Sequence, residues 1–412
     1  MTTDRLPPVP EHVDADQVLS WNRQYIMQTY GRLPVVLERG EGVRVWDARG
    51  MRYLDLVSGG RAGNALGHGN KAVAEALYQQ ALRGAFFSND YYHYPQAALA
   101  KKLAETTRCQ RAFFVNSGAE ASETAIKLAR KWAKKKHGAN RTEILTAEMS
   151  FHGRTLAAIT ATGQAKFQQG FEPLPAGFRY VPLNNVAALE AAISPQTCAI
   201  FMEPVQGESG IRPASQEYLK AVRRLCDEHG LLMILDEVQT GNGRSGRFWA
   251  YEHYGIEPDV LTTAKTLGGG APIGVCLATE DAATGFGPGD HGCTFGGNPL
   301  SCAAALAALD YIEEHKLVEH AAEMGEYFQS RLRKMGETTG LISEVRGLGL
   351  LIGVDLTQPM AMDVVQRGCQ EGLLIHASSD KTLRLLPPMI IQREEVDEAL
   401  SLLECLLLRK PR

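Results

Sequence analysis

The stretch Leu231-Leu-Met-Ile-Leu-Asp-Glu-Val-Gln239 reads as a short buried strand that ends on an acidic and an amide side chain. A second one, Val260-Leu-Thr-Thr-Ala-Lys-Thr-Leu-Gly-Gly-Gly270, reads as a strand over Val260 to Thr263 running out on Lys265 and a run of glycines. Neither strand alternates apolar with polar residues. A continuous apolar run of that length, bounded by polar residues and glycine, is expected where both faces of a strand are covered. Outward from this pair, Ile144 to Ala147 and Ala199 to Val205 have the same character. Ser215 to Glu228 has helical spacing, with Ser215 placed as N-cap and Gly230 as the terminator. Strand, helix, strand in this rhythm predicts an α/β fold: a mostly parallel central sheet with helices on both faces. In such sheets ligands bind beyond the carboxyl ends of the strands, where Asp236 and Lys265 fall.

The flanking segments read differently. Val43 to Leu56 alternates apolar and polar residues about Ala-Arg-Gly, which suggests a hairpin. A helix is expected from Asn116 to about Lys136, and a connecting helix from about Cys302 to His315. Arg346 to Asp355 reads as a single strand of a smaller α+β domain. The expected organisation is a tail over 1–20, a segment over 21–60 that joins the small domain, a large domain over 61–305 and the rest of the small domain over 306–412. Met1 to Gln17, rich in proline and acidic residues and without the apolar core of a signal peptide, is expected to be mobile.

Composition narrows the classes. Hydrophobic residues make up 44% and charged residues 22%, ordinary for a globular chain, and the formal net charge of −4 gives no face for a polyanion. Nucleic acid is not an expected partner. No apolar stretch reaches the roughly 18 residues of a membrane span, so no membrane partner is expected either. The eight cysteines form no CxxC pair, and several, such as Cys198, sit in apolar runs. They read as buried thiols rather than metal ligands or disulfides, which implies a reducing compartment, the cytoplasm, and no metal site.

A lysine fixed at a strand end among glycines, about thirty positions after an aspartate at the end of a neighbouring strand, suits pyridoxal phosphate. The amine condenses with the cofactor aldehyde as a Schiff base, and the carboxylate pairs with the protonated pyridine nitrogen. Asn116-Ser-Gly-Ala-Glu-Ala-Ser-Glu123 opens a helix whose first amides, at Gly118 and Ala119 with Ser117 beside them, suit a phosphate. The same residues also describe an ordinary capped helix. Phe151-His-Gly-Arg154 offers a ring to stack on a flat heterocycle and a guanidinium for a carboxylate, or else a core phenylalanine and a surface arginine. Glu203-Pro-Val-Gln-Gly-Glu208 puts two carboxylates after a strand, facing the crevice or capping the next element. Thr294-Phe-Gly-Gly-Asn-Pro299 is a loop or a simple turn, and Arg384 is a second carboxylate receptor or a surface charge. An Asp-Glu pair after a strand also occurs in nucleotide hydrolases, but the GxxxxGK[ST] loop they require is absent.

Together these segments resemble the class III, fold type I pyridoxal-phosphate aminotransferases, nearest the acetylornithine aminotransferase group. The match runs from about Gln24 to Leu400. Phe-His-Gly-Arg-Thr at 151–155, Glu-Pro-Val-Gln-Gly-Glu at 203–208 and Leu-Asp-Glu-Val-Gln-Thr-Gly at 235–241 are similar to the family's motifs throughout. Ser122, Ser209 and Ser245 stand where the family more often has asparagine, glycine and threonine. A larger departure is Gly59-Gly-Arg-Ala-Gly-Asn-Ala-Leu-Gly-His68, which carries Arg61 and Ala62 where the family usually has uncharged, more apolar residues bordering the substrate pocket.

The resemblance implies an enzyme that moves the terminal amine of N-acetylornithine to 2-oxoglutarate in arginine biosynthesis. It implies Lys265 as catalytic base and cofactor link, Asp236 at the ring nitrogen, Gln239 at the phenolic oxygen, and Ser117, Gly118 and Ala119 at the phosphate. Phe151 would stack on the ring, and Thr294 would reach the phosphate from the partner subunit of a homodimer with shared active sites. Arg154 would hold the far carboxylate of either substrate and Arg384 the carboxylate beside the reacting carbon, with Glu208 as the gate that neutralises Arg384. Alternatives within the fold are other ω-amino acid aminotransferases (ornithine, succinyl-diaminopimelate, 4-aminobutyrate or carrier-linked lysine precursors) or an aminomutase. An aminomutase returns the amine to the same skeleton and has less use for two arginines.

Overall fold

The computed structural model describes residues 14–409. Its centre is a seven-stranded sheet in the order Arg111–Val115, Gly274–Ala278, Val260–Thr263, Leu232–Asp236, Thr197–Met202, Glu143–Ala147, Phe178–Val181. Gly274–Ala278 runs antiparallel to both its neighbours, and the other pairings are parallel. The apolar runs explain the layering. In Leu232–Asp236 all five residues are buried. Met233 and Leu235 join one apolar cluster with Leu219, Val222 and Leu225 of the helix Gln216–His229. Leu232 and Ile234 point the other way, into a cluster with Ile126, Ala129 and Trp132 of the helix Gly118–His137. The period of two thus feeds two helical layers at once, as a sheet covered on both faces requires. The α/β architecture with a mostly parallel sheet and a smaller α+β part is the one expected from the sequence.

The smaller part draws on both ends of the chain. Leu37–Glu41, Arg44–Asp47 and Arg52–Asp55 form an antiparallel sheet whose far edge pairs with Leu373–Leu374. A second sheet has the order Ile342–Leu348, Leu351–Leu356, Thr382–Leu385, His376–Ser379, all antiparallel. Between the large and small parts, the helix Pro299–Glu314 leads into the helix Leu317–Thr339.

Several expected elements differ in detail. Ser215 caps its helix by accepting from the Tyr218 amide, and Gly230 ends it with φ of 61°. The strand expected over Ala199 to Val205 stops at Met202, because Pro204 has no N–H to give the ladder; Val205–Gln206 pairs instead with Arg212–Pro213. Arg346 to Asp355 is not one strand but the inner half of a hairpin that turns at Gly349 and Leu350, between Leu348 and Leu351. Of the tail expected over Met1 to Gln17, residues 1–13 lie outside the described residues. Asp14 caps the helix Ala15–Tyr25, to which Gln17 belongs. No helix among the described residues is long and apolar enough to cross a membrane.

Candidate active site

Five loops leave the carboxyl ends of strands that run in one direction, on one edge of the large sheet: after Val115, Ala147, Met202, Asp236 and Thr263. They enclose a cavity of about 410 Å³ lined by Ser117, Gly118, Ala119, Phe151, Arg154, Glu208, Asp236, Gln239 and Lys265. Nine residues singled out in the sequence, spread over about 150 positions, therefore share one cavity. Arg384 lies behind it, fully buried, and Thr294 lies outside it, exposed on the surface of this chain.

Lys265 follows its strand with φ of 48°, in the left-handed region that costs a residue other than glycine, and it projects into the cavity. Burial lowers the pKa of its amine; Glu208 pulls it up, Arg384 pushes it down further, and the net direction is down. A depressed amine pKa enlarges the neutral fraction that a nucleophile or base requires.

Asp236, at the end of its strand, is buried and doubly held: Oδ1 accepts from the Val238 amide at 3.0 Å, and Oδ2 lies 2.8 Å from Nδ1 of His152. The His152 ring in turn stacks on Phe201, with centroids 3.9 Å apart and an angle of 20°. Against an ionised carboxylate this bond requires the proton on Nδ1. His152 was quoted in the sequence only as part of a motif. Nothing local reveals its partner, which lies 84 positions away.

Glu203 is a clamp more than a ligand. Oε2 accepts from the Phe151 amide at 2.9 Å and Oε1 from the Gly207 amide at 3.1 Å, tying two of the loops together. Burial, reinforced by the charge of Asp236, pushes its carboxyl up to about 8. Gly207 lies close against Gln239: a Cβ there would stand 1.9 Å from Oε1 of Gln239 and displace that amide.

At the Asn116–Glu123 segment the capped-helix reading holds, and the cap leaves the first amides of the helix without partners among the described residues. Ser117 is the N-cap, accepting from the Glu120 amide at 3.2 Å and donating to the Glu120 carboxylate at 3.0 Å. The amides of Gly118 and Ala119 face the cavity at the head of a 20-residue helix and donate to no acceptor among the described residues. Helix-end amides of this kind suit a phosphate dianion. Together with Asp236 and the Lys265 amine they fit the phosphate, ring nitrogen and aldehyde of pyridoxal phosphate. Phe151 also lines the cavity and packs edge-on against Phe167 at 5.8 Å.

The third feature is a charge cluster. Glu208 meets Arg384 through two bonds of 3.0 and 3.2 Å, and Gln239 spans the pair, donating to Glu208 at 3.2 Å and accepting from Arg384 at 3.2 Å. Arg61 adds a further bond to Glu208 at 3.0 Å. Burial alone would raise the Glu208 carboxyl, but the charges of Arg384, Lys265 and Arg61 hold it well below the usual carboxylate range. Arg154, by contrast, is exposed, with its guanidinium 4.1 Å from the centre of the Phe167 ring and no ion-pair partner among the described residues.

With this geometry in hand, the comparisons with known proteins agree. The sequence profile of the family Aminotransferase class-III matches residues 25–407. The chain belongs to the class-III aminotransferases. A curated acetylornithine aminotransferase of Caldanaerobacter subterraneus is 48% identical over 390 residues, 95% of this chain and 99% of its own. Among solved structures, an acetylornithine aminotransferase of Elizabethkingia anophelis superposes with a TM-score of 0.85 at 35% identity, covering 96% of this chain and 99% of its own. An ornithine aminotransferase of Toxoplasma gondii, which holds PLP at partial occupancy in its active site, gives a TM-score of 0.91 at 34% identity over 96% of this chain and 94% of its own. This aminotransferase is thus a pyridoxal-phosphate enzyme that works between an amino donor and a keto acid.

Proposed function

We propose that the enzyme moves the terminal amine of N-acetylornithine to 2-oxoglutarate, giving N-acetylglutamate semialdehyde and glutamate for arginine biosynthesis. The reading is supported by two guanidiniums of opposite kind: Arg154 on the cavity wall, exposed and without an ion-pair partner among the described residues, and Arg384 behind the cavity, buried and masked by Glu208. An ω-amino donor brings no carboxylate to the reacting carbon and one to the far end. Glutamate and 2-oxoglutarate bring one to each. Arg154 serves the far carboxylate of both substrates, while Arg384 is needed only by the dicarboxylate. With an ω-amine bound, Glu208 neutralises Arg384, which would otherwise be a buried unpaired charge.

Bound pyridoxal phosphate supplies an aldehyde and an electron-withdrawing ring that acidifies the carbon bearing the substrate amine. The chain's own residues do the rest. Gly118 and Ala119 hold the phosphate, and Phe151 covers the ring. Asp236, fixed by His152, keeps a proton on the ring nitrogen, and the Lys265 amine moves the proton at the reacting carbon. Gln239 reaches the phenolic oxygen while bracing the Glu208–Arg384 pair. Thr294, outside this chain's cavity, completes the phosphate site of a second copy in a homodimer located in the cytoplasm. The test is a half-reaction screen: the loaded enzyme is mixed with N-acetylornithine, ornithine, succinyl-diaminopimelate or 4-aminobutyrate, and loss of the aldehyde absorbance is followed. N-Acetylornithine is expected to give the highest rate per concentration, and a clear preference for another amine would overturn the assignment.

A further inference from the structure

Arg61 belongs to a turn of unusual backbone. Ser58, Gly59, Gly60, Arg61 and Ala62 all have positive φ, at 49°, 71°, 94°, 62° and 62°. Three residues other than glycine persist in this region only when their surroundings hold them there. Here they do. Asp55 accepts from the amides of Val57 and Gly59 at 2.8 and 2.6 Å, and Ser58 donates to the Leu386 carbonyl at 2.5 Å. Ala62 is wholly buried against Val205, Ile211, Leu351 and Leu386. The turn is a fixed mount, and from it the Arg61 side chain reaches across 147 positions of sequence to Glu208.

The atoms of that contact distinguish Arg61 from Arg384. Oε2 of Glu208 is shared, with Arg61 Nη1 at 3.0 Å and Arg384 Nη1 at 3.2 Å, whereas among the described residues Oε1 serves Arg384 Nη2 and Gln239. Side-chain exposure runs from 49% at Arg61 through 10% at Glu208 to none at Arg384, so Arg61 lies on the solvent side of the carboxylate. For a dicarboxylate to use Arg384, Glu208 must release it. A nearly buried carboxylate left with no charged partner is strongly disfavoured. A swing that gives up both Arg384 bonds can keep the bond between Oε2 and Arg61.

We infer that Arg61 is the receiving partner of the Glu208 gate, a positioning residue that keeps the carboxylate paired while Arg384 takes a substrate carboxylate. The inference rests on the two-receptor reading above. Arg61 stabilises the open gate more than the shut one, because in the shut gate Arg384 already pairs with Glu208. Its effect therefore falls on substrates with a carboxylate at the reacting carbon and spares those without one.

The test uses loaded enzyme and calorimetric titration with two unreactive probes, glutarate for both arginines and valerate for Arg154 alone. Arg61→Leu is expected to weaken glutarate about tenfold, the scale of one charge-assisted hydrogen bond, and to leave valerate within about twofold. Arg61→Lys should restore most of the loss, and in a Glu208→Gln background Arg61→Leu should have no further effect. Unchanged or tighter glutarate binding in Arg61→Leu would overturn the inference, as would an equal loss for both probes. Arg384→Ala serves as the control: if it leaves glutarate affinity intact, the two-receptor reading itself fails, whatever Arg61 does.

Discussion

Arg384 stands on the strand Thr382–Leu385, fully buried and held by Glu208 and Gln239, whereas Arg154 stands on a loop, exposed over the face of Phe167 with no ion-pair partner among the described residues. The same side chain is thus built in two ways at one site, on the cavity wall and behind it. Leaving a buried guanidinium without a partner is costly, so occupancy of Arg384 by a substrate is an exchange of partners and is conditional. An exposed one is neutralised by water and can accept any carboxylate that arrives. The contrast turns a single pocket into one that admits two unlike substrates in alternation.

That contrast can be broken at either end. The largest effect is expected from Arg384→Ala, which leaves Glu208 buried without its main partner and removes the inner receptor. The kcat/KM for glutamate should fall by about 10²–10³, the scale of breaking a buried pair, with the N-acetylornithine half-reaction falling far less. Single-turnover absorbance changes with each donor measure the split, and equal losses would show that Arg384 is merely structural. Arg154→Ala should cost about 10- to 100-fold with both donors, chiefly in KM, because each loses a charge-assisted bond at the far end. Loss with one donor alone would contradict a shared receptor. Glu208→Gln should shift the ratio of kcat/KM toward α-amino donors by about tenfold, since a neutral amide no longer masks Arg384. An unchanged ratio would reject the gate.

The smallest effect concerns the clamp between the loops. Burial raises Glu203 from its ordinary 4.5 to about 8, so the folded chain holds a proton that the unfolded chain releases between those values. Stability from this group is complete below the lower value and is lost as pH rises through the upper one. The melting temperature of the wild type should therefore fall by a few degrees between pH 6.5 and 9. Glu203→Gln should flatten that fall, and an equally steep fall in the variant would assign it to other groups.

How much of this was legible in sequence depended on range. Val260–Thr263 and the Ser215 cap could be read because apolar runs and caps are local signals. The cavity residues could be read because each follows a strand end, and strand ends of a parallel sheet converge. The reversed direction of Gly274–Ala278 is not legible, since direction in a sheet leaves no local trace. The hairpin at Gly349 was hidden because Leu348 to Ile352 is apolar on both sides of a two-residue turn. His152 with Asp236, and Arg61 with Glu208, are pairings made by the fold across 84 and 147 positions. Arg61 stands out only against the family it resembles, as a charge where uncharged, more apolar residues are usual.

Every role assigned in this site requires Lys265 to be the amine that holds the cofactor. Loaded enzyme reduced with borohydride, digested and mapped by mass spectrometry should carry the pyridoxyl group on the peptide containing Lys265 and on no other. A pyridoxyl group found on a different lysine, or none retained after reduction, would contradict it.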